Sequence, residues 1–326
     1  MRTSPVDKFC ELLAEHVMKS RVPFRLPQPP FDSPDVFEIL GLHKGDAPVV
    51  TTGPASRGNR PEHDVIPFTF PSRVELEWPE VNTVFGELYL LPDRRPARVC
   101  VLIHGNGSPS PKYERMRARQ LLKAGVHALS FRWAGHAPRL PVGERKAEHT
   151  LANDLHGCVQ TFVQAASDAA DLVRWLREQS WATEVGMAGW SGGGITTMLA
   201  MTLVELDFAM PVVPATDFAT VLWSPYVPKN VQETIRQELG SYERLDEAVR
   251  AIAAWARTPK VPADPARFLL LPGSLDEVCG TEATRRTWEA WGRPPIEWTR
   301  YGHVMGAAMP VVGKRLVSIA TGGRPQ

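Results

Sequence analysis

Cysteine is scarce: Cys10, Cys100, Cys158 and Cys279 are spread through 326 residues with none of the close pairings of a zinc site. That distribution excludes a disulfide-dense scaffold and points to a reducing compartment. An excess of either charge is missing as well. Lys and Arg number 37 against 36 Asp and Glu, a formal net charge of +1, so no electrostatic case arises for nucleic acid or an anionic membrane surface. Long apolar runs are absent, which excludes a spanning helix and stable membrane insertion. The opening MRTSPVDKFCELLAEHVMKS mixes acidic residues among its apolar ones and has no continuous core of the signal-peptide kind. The expected location is cytoplasmic. No repeat of solenoid period is visible, and oligomeric state leaves no trace in the composition.

Proline, by contrast, is plentiful at 30 residues. Two proline-rich stretches, 23–34 and 48–71, flank a short helical candidate at Val36 to Leu40, and proline at that density disfavours helix and central strand alike. Upstream, Val6, Phe9, Leu12, Leu13 and Val17 recur at helical spacing over 6–19. Residues 1–72 read as a partly irregular extension wrapped on a main domain of 73–326.

Within that domain strands and helices alternate. Val74, Leu76 and Trp78 alternate with charged residues and, with Val84 to Leu91, predict an antiparallel pair opening a sheet. Val99 to Ile103 is a continuous apolar run, as a strand covered on both faces requires. A helix from Pro111 to Ala124 ends at Gly125, and Val126 to Phe131 is the next strand. Phe162, Ala166, Ala169, Val173 and Leu176 form one apolar stripe on a helix spanning 159–179. Phe208 to Val213 is a strand in spite of Pro211, and the alternation then breaks over 215–262. There Asn230 with Glu233 predicts a capping box, Gly240 a helix stop, and Leu245, Ala248, Val249 and Ile252 a second helix. Two helices between consecutive strands read as a cap. Strands at Phe268 to Leu271 and Ile296 to Thr299, with helices at Glu282 to Trp291 and Gly306 to Ala320, complete an α/β pattern with a mostly parallel sheet.

The stretch EVGMAGWSGGGITTM, residues 184–198, places Gly-x-Ser-x-Gly between a strand and a helix. A serine at the tip of so tight a turn needs small neighbours, here Gly189 and Gly193, and leaves the Ser191 hydroxyl exposed. The following N–H, of Gly192, opens a helix and can hold an oxyanion. In an open parallel sheet, functional groups gather at the carboxyl ends of strands. His104-Gly105-Asn106-Gly107 follows Ile103, Ser191 follows Gly189, Gly273-Ser274-Leu275-Asp276 follows Leu271, and Gly302-His303 follows Thr299. The order Ser, Asp, His is that of a hydrolase triad on this kind of sheet.

With those residues in place, the chain over about 74–320 resembles the alpha/beta-hydrolase superfamily. The resemblance implies an eight-stranded, mostly parallel sheet with the nucleophile after the fifth strand. It also implies that Ser191 is the nucleophile, Asp276 the acid after the seventh strand and His303 the base after the last. The extension and the helical cap resemble the branch of alpha/beta-hydrolase domain-containing protein eighteen, although HGNG departs from that branch's oxyanion loop.

The chemistry follows from what each group must do. A neutral His303 imidazole would take the Ser191 proton, and Asp276 would fix the ring's tautomer. The N–H groups of Gly192 and of Asn106 or Gly107 would stabilise the tetrahedral oxyanion. The expected partner is a small-molecule ester, and neither metal nor organic cofactor is called for. Glu277 and Asp217 compete with Asp276 as the acid. His104 reads as a structural brace, and His136 as a surface or loop-packing residue rather than a pocket one. Trp190, Trp223 and Tyr226 are candidates for lining an acyl pocket, though Trp223, Tyr226 and Trp255 also fit a cap core. Acyl transfer, amide cleavage and pure ligand binding are the alternatives to ester hydrolysis.

Overall fold

The computed structural model describes residues 23–57, 64–92, 94–143, 154–259, 264, 266–304 and 309–323. Among them the strands are β1 (Thr51–Thr52), β2 (Ser56–Arg57), β3 (Asp64–Pro71), β4 (Thr83–Leu90), β5 (Ala97–Ile103), β6 (His127–Arg132), β7 (Ala182–Trp190) and β8 (Phe208–Val212). The helices are α1 (Val36–Ile39), α2 (Lys112–Lys123), α3 (Leu155–Arg177), α4 (Gly192–Leu203), α5 (Phe218–Trp223), α6 (Lys229–Leu239), α7 (Tyr242–Ala248), α8 (Thr281–Ala290) and α9 (Pro310–Ala320). The helix expected over 6–19 and the start of the one expected from Gly306 lie outside the described residues.

The strands run in the order β1-β3-β4-β6-β5-β7-β8, with β2 also on β3. Pairing is antiparallel as far as β6 and parallel from there through β5, β7 and β8. This is the alpha/beta-hydrolase fold. The apolar run at its centre divides by alternation. Val99, Val101 and Ile103 join the layer built on α3 and α4, while Cys100 and Leu102 join the layer under α2 and α9.

Several details differ from the pattern read in the sequence. The strand paired with β4 is β3, in register from Asp64 opposite Leu90 to Pro71 opposite Thr83. Residues 74–78 form no strand. Val74 and Leu76 are buried, which is what their alternation reports, but the backbone there is bonded to side chains instead of a ladder. Leu76 exchanges two hydrogen bonds with Asn82, and the Val74 carbonyl accepts from Gln164. Pro67 is tolerated in β3 because its carbonyl turns away from β4, accepting from Gly53 beside the two-residue β1, so the ladder with β4 does not need the N–H that proline lacks. The sheet therefore takes a strand from the proline-rich stretch.

At the far edge, Phe268 to Leu271 and Ile296 to Thr299 are held by isolated parallel bridges. Pro211 explains the break: its carbonyl accepts from Leu271, but it has no N–H to return. The predicted capping box does not form, since α6 starts at Lys229 with Pro228 at its cap and no side-chain cap bond. Gly240 does end that helix, at φ 76°.

Helix α3 is buried on far more than one stripe, Gln164, Ser167, Asp168 and Asp171 included. Its outer side is covered by the chain before β4. Phe31, Val36, Phe37, Phe68 and Phe70 share its apolar cluster, while Arg73 pairs with Asp171 at 3.0 Å. Asp168 accepts from Ser72 and, at 2.8 Å, from Arg139, and this ion pair has no solvent exposure. Arg139 also donates to the carbonyls of Val81 and Arg132. The pair thus ties α3 to the turn before β4 and to the loop after β6. Breaking it leaves a buried guanidinium without its counter-charge. Asp168→Ala should lower unfolding free energy by about 3–5 kcal/mol, measured by denaturant titration; a loss within experimental error would mean the cluster adds no net stability.

Candidate active site

The turn from β7 into α4 is where backbone geometry is most constrained. Ser191 sits at φ 56°, ψ −119°, a positive-φ conformation that ordinary residues avoid and that costs on the order of 1–3 kcal/mol. Two glycines make room for it. A β-carbon on Gly189 would overlap the Gly193 carbonyl, and one on Gly193 would overlap the carbonyl of Ile103. The Ser191 N–H is anchored on Val212 at 3.0 Å.

The hydroxyl meets the imidazole of His303, with Oγ and Nε2 2.8 Å apart. On the ring's other side Nδ1 is 2.8 Å from Asp276 Oδ2. The second carboxylate oxygen, Oδ1, accepts from the backbone N–H groups of Val278 and Cys279 at 3.0 and 2.9 Å. That turn holds the carboxylate's orientation. Ser191, Asp276 and His303 are therefore brought together, across 112 and 27 residues of chain.

The two competing acids are engaged elsewhere. Asp217 caps α5 and accepts from Arg286, Tyr242 and Thr220. Glu277 accepts from the Tyr226 hydroxyl. Burial pulls the His303 pKa down, but Cys279 and the Asp276 carboxylate push it up, and the net position is well above the ordinary histidine value.

Of the three expected oxyanion donors, Asn106 and Gly192 line the pocket at Ser191, and a β-carbon on Gly192 would stand 3.2 Å from Asn106 N. Gly107 does not serve, because its N–H is spent on His136 Nε2 at 2.9 Å. His136 is buried and is a loop-packing residue. With Nε2 accepting, the ring proton lies on Nδ1, facing the Ala134 carbonyl. Burial, then the charge of Arg132, pushes its pKa down to about 3. His104 braces the same loop: its ring stacks on Trp133, whose indole donates to the His104 carbonyl. Burial lowers its pKa strongly too.

The hydroxyl opens on a pocket of about 180 Å³ walled by Phe162, Ala215, Phe218, Val221, Tyr226, Val278 and Val304, with Cys279 beside His303. Tyr226 is thus placed as expected. Trp190 is not, because strand alternation turns it into the opposite layer, edge-on to Tyr113 at 4.3 Å. Trp223 packs on Tyr242 under Arg236, and Trp255 lies beneath Arg286. Sequence reasoning passed over Phe162, Phe218, Val221 and Cys279 as site residues, since apolar periodicity marks core and pocket wall alike. The donor atoms of Asp276, Cys279 and His303 all lie within 4.8 Å of one another. Among the described residues no helix is long and apolar enough to cross a membrane.

Comparison with known proteins places this geometry in context. Residues 152–267 match the family model of the X-Pro dipeptidyl-peptidases (S15 family), a span that holds Ser191 but neither Asp276 nor His303. Uncharacterized proteins from two strains of Mycobacterium tuberculosis, CDC 1551 / Oshkosh and ATCC 25618 / H37Rv, are each 29% identical over 235 residues. The match covers 70% of this chain and 54% of theirs, so the chain spans about half the length of the curated relatives it matches. Among solved structures, acetyl xylan esterase 1 from Thermoanaerobacterium sp. JW/SL YS485 superposes with a TM-score of 0.68 at 14% identity, over 98% of this chain and 99% of that one. An acetyl xylan esterase from Paenibacillus sp. R4 gives 0.65 at 16% identity, over 91% and 96%. At these identities the likeness is one of fold.

The low pKa of His136 has a consequence for stability. Between the unfolded value of 6.5 and the folded value of about 3, the unfolded chain binds the extra proton. Stability is therefore fully present above pH 6.5 and falls as the pH drops toward 3. His136→Asn should reduce the acid-limb slope of Tm against pH over this window, with the remainder set by the other shifted groups, His104 and His156 among them; an unaltered limb would show that His136 is not held neutral by the fold.

Proposed function

We propose that this protein is a serine hydrolase that cleaves a carboxylic ester through an acyl-enzyme on Ser191. The observation that carries the reading is the unbroken line from Ser191 Oγ through His303 to Asp276, 2.8 Å at each step. A hydroxyl is a weak nucleophile until a base takes its proton, and His303 Nε2 stands in hydrogen-bond reach of that proton. As Oγ bonds to the substrate carbonyl carbon, the proton moves to Nε2 and Asp276 stabilises the imidazolium that forms. The N–H groups of Asn106 and Gly192 receive the oxyanion. Each such donor contributes about 3–4 kcal/mol in the transition state. Collapse of the tetrahedral species expels the alcohol, which takes the proton from His303. Water then repeats the sequence and releases the acid.

The small apolar pocket supports a short acyl group, since sites for drug-sized ligands begin at about 300 Å³. Esterase action also agrees with the acetyl xylan esterases that share the fold. A second reading, amide cleavage by the same residues, is favoured by the peptidase family model over 152–267. We read the chain as an extension over 1–72, of which residues 64–71 add strand β3 to the sheet, followed by a hydrolase domain of 73–326 with a cap over 215–262 whose helix α5 walls the pocket. The extension and cap support the proposed likeness to the branch of alpha/beta-hydrolase domain-containing protein eighteen.

Three experiments test this. A fluorophosphonate probe should label the native protein and not Ser191→Ala; Asp276→Asn should reduce turnover of p-nitrophenyl acetate by about 10⁴, and Glu277→Gln far less. No labelling, or the reverse order of the two acid variants, removes the triad as assigned. Because only the neutral imidazole can act as base, kcat/KM should climb with pH and level off above a pKa higher than 6.5. A profile already flat below that value contradicts the environment described for His303.

A further inference from the structure

Cys279 has no task in the hydrolysis, yet its sulfur is 3.5 Å from His303 Nδ1 and the residue is buried at the pocket wall. Its thiol is one of three potential ligands in a cluster whose donor atoms, Sγ, Nδ1 and a carboxylate oxygen of Asp276, come from one turn and one facing loop. We propose that Asp276, Cys279 and His303 form an inhibitory site for a thiophilic divalent transition-metal ion such as zinc. The inference rests on the triad reading for its effect on activity, though not for the binding itself.

The sulfur–nitrogen distance already suits the ion. Zinc bonds of about 2.3 Å to thiolate and about 2.0–2.1 Å to imidazole, at a tetrahedral angle, set sulfur and nitrogen about 3.5 Å apart. Those two atoms already stand at that separation. The carboxylate oxygen, 2.8 Å from Nδ1, has to open to about 3.3 Å to become the third ligand. Asp276 Oδ1 would keep its two backbone bonds while Oδ2 turns to the metal. The fourth position is left for water, as in zinc sites with three protein ligands. Thiolate and imidazole together favour zinc over magnesium or calcium, which take oxygen.

Binding would stop hydrolysis by moving one proton. In the active state the ring proton is on Nδ1 and Nε2 accepts from Ser191. A metal on Nδ1 displaces that proton, so the neutral ring carries it on Nε2, and the thiol gives its own proton to solvent. Nε2 is then a donor and has no lone pair for the serine proton. Asp276 is at the same time taken from the ring. The nucleophile and oxyanion donors stay in place but the base is gone.

The test uses the full chain freed of metal by a chelator. Zinc should bind at one equivalent, measured by competition with a chromophoric chelator, and should inhibit ester turnover with matching affinity. Cobalt should give the thiolate charge-transfer absorption in the near ultraviolet. Cys279→Ala, and Cys279→Ser as a second variant of nearly native size, should abolish that absorption and weaken zinc inhibition about a hundredfold or more, each scored against its own metal-free rate. Absence of the cobalt band, or zinc sensitivity in both variants equal to that of the native protein, overturns the site. A native protein that forms the band but neither turns over esters nor takes the fluorophosphonate label would leave the metal site standing and sink the hydrolase reading instead. Ester turnover that zinc does not inhibit would do the opposite.

Discussion

The molecule is organised around a contact in which no side chain is allowed. Helix α4 approaches the ends of β5 and β7 so closely that β-carbons at positions 189 and 193 would overlap carbonyl groups of the opposing backbone. That approach permits the positive-φ backbone at Ser191, which stands at the N-terminal cap of α4. A strain of this kind persists only where neighbouring structure over-determines it. Here the constraint comes from the Ser191 N–H bond to Val212, the continuous burial of β5 and β7, and the packing of α3 on α4.

Behind the loop that carries Asn106 and Gly107 a second set of constraints works through exclusion of charge. Two histidines and Trp133 pack together, and burial holds both imidazoles neutral. A neutral His136 has one acceptor nitrogen, and it is used to fix the Gly107 N–H. Of the two loop N–H groups considered as donors, this leaves Asn106 facing the pocket. The opposite logic holds at His303, where Asp276 favours the charged ring. Three histidines within one fold thus meet two electrostatic regimes, one that refuses a proton and one that accommodates it.

The residues before β4 do more than decorate the domain. They supply a strand, cover the outer side of α3, and deliver Ser72 and Arg73 to its buried carboxylates. Helix α3 in turn presents Phe162 to the pocket, next to Phe218 of the inserted segment. Pocket size is therefore coupled to packing on both of its flanks, through side chains that also belong to the core.

Taken alone, the sequence determined the α/β class, the position of the Gly-x-Ser-x-Gly turn and the strand-end groups, because tight turns and two-sided burial leave local signatures in glycine placement and apolar runs. Gly189 and Gly193 are legible for that reason, as is Gly240 ending α6. It favoured Asp276 over Asp217 and Glu277 by position after a strand and by resemblance, but left both as competitors, since which carboxylate faces an imidazole depends on turns formed by residues far away in the chain. It misread 74–78 as a strand because burial on one face produces the same alternation whether or not a ladder is present. Only the tertiary structure decided that Gly107 is occupied by His136, that Trp190 faces away, and that Cys279 stands beside the imidazole. Each is a meeting of groups without a periodic relation in sequence, and only chain folding in three dimensions sets such distances.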